Sequence, residues 1–197
     1  MKELVVATRN RGKIIELQAL LGSLVDNIIC AADLADFPDT VEDGATFEEN
    51  ALKKAREASA FTGLPALADD SGLTVAALDG RPGVFSARFA GEGAGDNANN
   101  DRLLQELQGF SVDARQAAFV CVLAFVTPLG LEQTFAGRVA GQILEKPRGS
   151  GGFGYDPLFL VEGFDCSMAE LEIEQKNRIS HRGQAFRQFR KYLAQIG

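Results

Sequence analysis

Leu4-Val5-Val6-Ala7-Thr8 is a strand-length run with no charge and almost no polarity. A strand of that kind has no face suited to water, so any fold for this chain must bury it on both sides. The next residues, Arg9-Asn10-Arg11-Gly12-Lys13, form a basic loop. Ile14, Leu17, Leu20 and Leu21 then recur at helical spacing, and Gly22 stops the pattern. A basic, glycine-containing loop between a buried strand and a helix N-terminus suits a phosphate. Backbone N–H groups point outward there, and the helix dipole favours an anion. It is not a Walker A loop, because G-x-x-x-x-G-K-[ST] does not occur.

A second apolar run, Leu64-Pro65-Ala66-Leu67-Ala68, leads into the adjacent carboxylates Asp69 and Asp70. Ser71-Gly72 is good turn chemistry, so a short buried strand is expected to end here. That would project both acids beyond the sheet, where ligands of open α/β sheets bind.

At 197 residues the chain is one large domain or two small lobes. No apolar run approaches the roughly 20 residues of a membrane span. Met1-Lys2-Glu3 opens directly into a strand, without a signal-peptide layout. Cys30, Cys121 and Cys166 are far apart and odd in number, which suits reduced thiols in a cytoplasmic protein. A formal net charge of -7 argues against non-specific binding to nucleic acid or an anionic membrane.

Between these landmarks, Ile28-Ile29-Cys30 reads as a strand, and residues 33–44 as an acidic, irregular link containing Asp36, Asp39, Glu42 and Asp43. Thr46-Phe47-Glu48-Glu49 is a capping-box pattern. In the helix it starts, Ala51, Leu52, Ala55 and Ala58 share one side, and Lys53, Lys54 and Arg56 are expected in solvent. Residues 91–100 read as a loop before a helix carrying Leu103, Leu104 and Leu107. Residues 117–126 and 131–143 read as a hairpin joined through Pro128-Leu129-Gly130. A glycine-rich segment ends in Phe153-Gly154-Tyr155-Asp156-Pro157, and Leu158 to Val161 form another buried strand. Residues 168–175 look helical and Lys176-Asn177-Arg178 looks like the break. Ser180 is a good N-cap for a last helix with Phe186, Phe189, Leu193 and Ile196 on its buried stripe. His181 and Arg182 then occupy the first turn, where the dipole disfavours cations, and this marks them as candidate functional residues.

Four pieces in this order and spacing resemble the inosine triphosphate pyrophosphatase family. They are Thr8-Arg9-Asn10-Arg11-Gly12-Lys13, Ala68-Asp69-Asp70-Ser71-Gly72-Leu73, Phe153-Gly154-Tyr155-Asp156-Pro157 and Ser180-His181-Arg182. The similarity runs from Leu4 to the last helix. It implies an α/β fold with a long, twisted mixed sheet and flanking helices, two lobes and a central substrate cleft, with no separable linker in residues 1–197. It also implies a Mg²⁺-dependent homodimer that converts ITP, dITP and XTP to the monophosphate and pyrophosphate. By position, Thr8 to Lys13 match the triphosphate loop, with Lys13 a catalytic cation. Asp69 matches the proton acceptor and a metal ligand, and Glu42 the second metal-side carboxylate. Asp70 and Ser71 match substrate contacts. Phe153, Gly154, Tyr155, Asp156, Lys176, His181 and Arg182 match the nucleotide site. Arg9 and Arg11 depart from the family pattern, which is varied and often uncharged there, and Asp43 stands where Thr is frequent.

The residues fit phosphoanhydride hydrolysis on their own terms. A triphosphate needs cations and a metal clamp. Lys13, Arg9 and Arg11 supply the first, and Asp69 with Glu42 offers hard oxygen ligands for Mg²⁺. Phe153 can present a ring to a purine. Maf-type nucleotide pyrophosphatases, of different base preference, and a non-catalytic purine-nucleotide-binding module are the alternatives.

Overall fold

The structure, a computed structural model, describes residues 1–196; the side chains of Ser23 and Ile196 fall outside the described residues, and with them the expected place of Ile196 on the last helix's stripe. Six strands lie in the order β2-β1-β3-β4-β5-β6. They are β1 (Glu3–Val6), β2 (Asn27–Cys30), β3 (Ala66–Val75), β4 (Gln116–Val126), β5 (Glu132–Ile143) and β6 (Phe159–Val161). β1 runs parallel to β2 and β3, whereas β5 and β6 are antiparallel, so the sheet is mixed. The helices are α1 (Arg11–Leu21), α2 (Phe47–Thr62), α3 (Gly95–Glu106), α4 (Ile173–Ile179) and α5 (His181–Ile196). Among the described residues no helix is long and apolar enough to cross a membrane.

The chain forms two compact units. The first comprises Met1–Asp70, Cys121–Gly137 and the chain from Arg182 onward. Its β1 is buried on both sides, as the apolar run requires. Leu4 and Val6 join Leu17 and Leu21 of α1 and Phe186 and Phe189 of α5, while Val5 and Ala7 join Ala51, Ala55 and Ala58 of α2. The split follows the two-residue alternation of a strand. The small alanine face of α2 lets that helix lie close to the sheet. Thr46 caps α2 with a full capping box, its side chain accepting from Glu49 N–H at 3.1 Å.

The second unit comprises Ser71–Val120 and Arg138–His181. Its core gathers Leu73 and Val75 of β3, Leu103 and Leu107 at α3, Phe119 of β4 and Phe159 of β6.

Three expectations fail for physical reasons. β3 does not end at Asp70: Ser71-Gly72 continue as strand to Val75, so the carboxylates lie mid-strand. Local turn chemistry yields here to packing against the 3₁₀ turn Gly83–Arg88, whose Ser86 Oγ accepts Leu73 N–H at 2.9 Å. Residues 95–100 are helix rather than loop, because Asn99 anchors the first turns of α3. Its Oδ1 accepts Ala90 N–H at 2.7 Å and its Nδ2 donates to Ala87 O at 3.1 Å. Finally, Lys176-Asn177-Arg178 lie inside α4 instead of breaking a helix, whereas residues 168–170 form only a 3₁₀ turn. A Ser167–Glu170 capping box closes that turn off, and extended backbone at Leu171 and Glu172 separates it from α4.

Gly72 is needed for close approach. A Cβ there would meet Ser86 Oγ and stand 2.6 Å from Gly83 O. Gly72→Ala is therefore expected to destabilise by about 1–3 kcal/mol, as overpacking does. A thermal melt followed by circular dichroism reads this, and an unchanged Tm would show that the Gly83–Arg88 turn yields freely.

Candidate active site

The triphosphate-loop candidates stand at the start of α1. Asn10 is its N-cap: Oδ1 accepts Lys13 N–H at 3.1 Å, and Asn10 N–H donates to Thr8 Oγ1 at 3.2 Å. This fixes Lys13 in the first turn, and its Nζ pairs with Asp69 Oδ1. Arg9 turns elsewhere, to Asp39 at 2.7 Å and to Phe37 O. Arg11 is exposed and Gly12 half-buried.

Asp69 is buried at 1% exposure within a cluster of donors. Arg182 Nε donates to Oδ2 at 2.9 Å and Nη2 lies 3.4 Å from Oδ1. The Cys121 thiol donates to Oδ2 at 3.0 Å. Burial pushes this carboxyl up, but the charges of Arg182 and Lys13 and the hydrogen bonds of Arg182 and Cys121 more than reverse it, holding it well below the usual carboxylate range. For Asp70 the balance is opposite. Burial pushes it up, and the pull of Lys54 and Lys13 does not cancel that. Two adjacent carboxylates thus have their proton affinities driven apart, the pattern that separates acid and base roles.

Lys54, expected in solvent, is buried instead. Its Nζ lies 2.7 Å from Asp70 Oδ1 and 3.0 Å from Glu42 Oε1. The reason is its register: Lys54 falls between Ala51, Ala55 and Ala58 on the sheet-facing side of α2, and a buried ammonium is retained only where carboxylates receive it. The irregular segment carrying Glu42 is pinned to α2 as well. Gly44 N–H donates to Asn50 Oδ1 at 2.8 Å, and Lys53 pairs with Asp43 at 2.7 Å. Among the described residues no group of three or more acidic, histidine or cysteine side chains is spaced to grip an ion. The donor chemistry nevertheless fits Mg²⁺. Glu42, Asp69 and Asp70 are all hard oxygen donors, and Lys54 already places a positive charge between two of them.

The nucleotide-site candidates of the second unit form their own cluster. Asp156 Oδ2 accepts Phe153 N–H at 2.9 Å and Lys176 Nζ at 2.5 Å. Lys176 Nζ also sits 5.0 Å from the centroid of the Phe153 ring. A Cβ on Gly152 would collide with the Asp156 carboxylate, so this turn needs glycine. Tyr155 is buried and its hydroxyl donates to Ser86 O at 2.8 Å, which makes it a support beneath the loop. His181 is buried and stacked on Phe119, centroids 4.9 Å apart at 14°. Ser71 follows Asp70 along β3.

Arg182, the neighbour of His181, is fully buried among the Asp69 group, where Nη1 also pairs with Glu16. Sequence reasoning missed Glu16, Lys54 and Cys121. Glu16 had a local signal, since it lies three residues after Lys13 and shares its helix face. Cys121 had none, because its contact with Asp69 spans 52 positions.

The sequence model of the Ham1 family matches residues 4–192. A relative from Geobacter sulfurreducens, named dITP/XTP pyrophosphatase, is 54% identical over 197 residues, covering 100% of this chain and 99% of its own length. One of the same name from Desulfotalea psychrophila is 47% identical over 193 residues, covering 98% of this chain and 86% of its own. Among solved structures, a HAM1 protein from Coxiella burnetii superposes with a TM-score of 0.88 at 44% identity, covering 99% of this chain and 100% of that one. The Ham1 protein of Staphylococcus aureus gives 0.87 at 41% identity, covering 100% of both chains.

Proposed function

The chain belongs to the Ham1 family, and from that membership and the charge cluster around Asp69 we propose that it is a Mg²⁺-dependent pyrophosphohydrolase converting ITP, dITP and XTP to the monophosphate and pyrophosphate. The observation that carries the reading is a buried carboxylate, Asp69, held directly against the Lys13 ammonium at the start of α1.

Lys13 and the first N–H groups of α1 receive the triphosphate, as anions are received at helix N-termini. A triphosphate that draws Lys13 to itself removes one of the cations that suppress the proton affinity of Asp69. Asp69 then becomes a better acceptor for the proton of the attacking water. Asp69 and Glu42 would hold Mg²⁺, which when bound supplies Lewis-acid polarisation of the phosphate oxygens. Phe153 offers its ring to the purine, and Lys176, a donor only, suits the 6-oxo group of hypoxanthine and xanthine over the 6-amino group of adenine. Arg182, matched by position to the nucleotide site, bonds to Asp69 and Glu16, which favours a role in holding the catalytic carboxylate. A homodimer working in the cytoplasm completes the proposal.

Incubation with ITP and Mg²⁺, followed by chromatography, is the test. IMP and pyrophosphate are expected. IDP and orthophosphate would place the cleavage at the wrong bond and overturn the reading.

A further inference from the structure

Helix α3 takes no part in the activity proposed above, yet it grips one residue of the Phe153–Asp156 loop by both of its peptide groups. Gly154 N–H donates to Asp96 Oδ2 at 2.7 Å, and Asn100 Nδ2 donates to Gly154 O at 3.0 Å. Asp96 and Asn100 are one helical turn apart, so both face the same way. Gly154 has φ of +61°, a left-handed conformation that favours glycine, and a Cβ added there would meet no atom within 4 Å.

The Asn100 amide reports its own orientation. Its Oδ1 is buried and has no hydrogen-bond partner. Exchanging the amide's O and N would set oxygen against the Gly154 carbonyl, so the orphaned acceptor follows from the donation to Gly154. Unsatisfied buried acceptors are costly and uncommon, and this one is tolerated where the donor end is needed. The Asp156–Phe153, Asp156–Lys176 and Tyr155–Ser86 bonds also support the loop, but none of them is made by the N–H or C=O of Gly154.

We propose that Asp96 and Asn100 are positioning residues for the nucleobase: by clamping Gly154 they fix the Phe153 ring and tune affinity for the base without affecting the phosphate chemistry. The proposal rests on the reading of Phe153 as the base-stacking residue.

Four variants separate the outcomes. Asn100→Asp is nearly isosteric but puts a carboxylate oxygen against the Gly154 carbonyl. Asp96→Ala removes the acceptor, whereas Asp96→Asn keeps one. Asn100→Ala removes the donor without repulsion. Losing one such bond should raise KM for ITP about five- to tenfold in Asn100→Asp and Asp96→Ala, and less in Asn100→Ala, with kcat within about twofold. Asp96→Asn should restore KM to near the parent value. Inorganic tripolyphosphate, which has no base, should inhibit all four variants and the parent with the same Ki. A Ki that rises in step with KM would show general damage and overturn the proposal, as would an unchanged KM in both disruptive variants. Hydrogen exchange of the 152–156 segment gives a readout that needs no turnover. Exchange should be faster in Asp96→Ala and at the parent rate in Asp96→Asn. If the parent does not release pyrophosphate from ITP, the functional reading fails while this exchange comparison still decides whether the clamp exists.

Discussion

Asp69→Asn is expected to lower kcat by about 10²–10⁴-fold at saturating Mg²⁺, the usual cost of removing a general base. The substitution keeps the side-chain shape and removes both the charge and the proton acceptor. Its surroundings sharpen the expectation. Both carboxylate oxygens of Asp69 accept from donors only: Lys13 and Arg182 Nη2 at Oδ1, Arg182 Nε and the Cys121 thiol at Oδ2. An asparagine amide must turn its NH₂ toward one of these pairs, setting donor against donor. Some loss of stability should therefore accompany the loss of rate. A circular dichroism melt run beside the kinetics separates the two, because the rate must be measured well below the variant's own Tm. Retention of kcat within tenfold in a folded variant would mean that another group takes the proton.

How far the sequence reaches is visible in particular residues. β1, α1, the capping box of α2 and the β4–β5 hairpin were legible because their signals are local: apolar runs, helical spacing, a Thr and a Glu three residues apart, and a Pro-Leu-Gly connection. The mixed sheet with flanking helices followed from the family resemblance. β3 continues through Ser71-Gly72 against local turn propensity, and the Ser86 hydroxyl that receives the strand lies 13 positions from its partner Leu73. Lys54 departs from its expected place in solvent for a related reason. Composition says that lysine is solvated, whereas its place among Ala51, Ala55 and Ala58 says that it faces the sheet. Asp69, Lys13 and Arg182 each stand out in the sequence, but their contact does not. Asp69 and Arg182 are 113 positions apart. Glu16 carries only the local signal of lying three residues after Lys13, and its partner Arg182, 166 positions away, reveals why it is buried.

That partner makes the last prediction. Arg182 is 1% exposed and bridges two buried carboxylates, Asp69 on β3 and Glu16 on α1. Burial lowers the proton affinity of its guanidinium, but Asp69 and Glu16 more than offset this and raise it above the ordinary arginine value, so the group stays charged. Arg182→Met fills much of the same volume but removes the guanidinium to which both acids bond. Asp69 would keep Lys13 and the Cys121 thiol, and Glu16 would lose its ion pair with Arg182. Removing one partner of a buried ion pair costs about 3–5 kcal/mol, since an uncompensated charge remains. For a chain of this size each kcal/mol moves Tm by about 2–4 °C, so a fall on the order of 10 °C is expected. The double variant Glu16→Met, Arg182→Met distinguishes charge from shape. With both members of the Glu16–Arg182 pair replaced, part of the lost stability should return, since apolar side chains often replace buried ion pairs at little cost. The rate should not return with it, because Asp69 would still lack the guanidinium that orients it. A single variant melting within 2 °C of the parent would refute the bridge. A double variant no more stable than the single one would show that Glu16 is satisfied without Arg182.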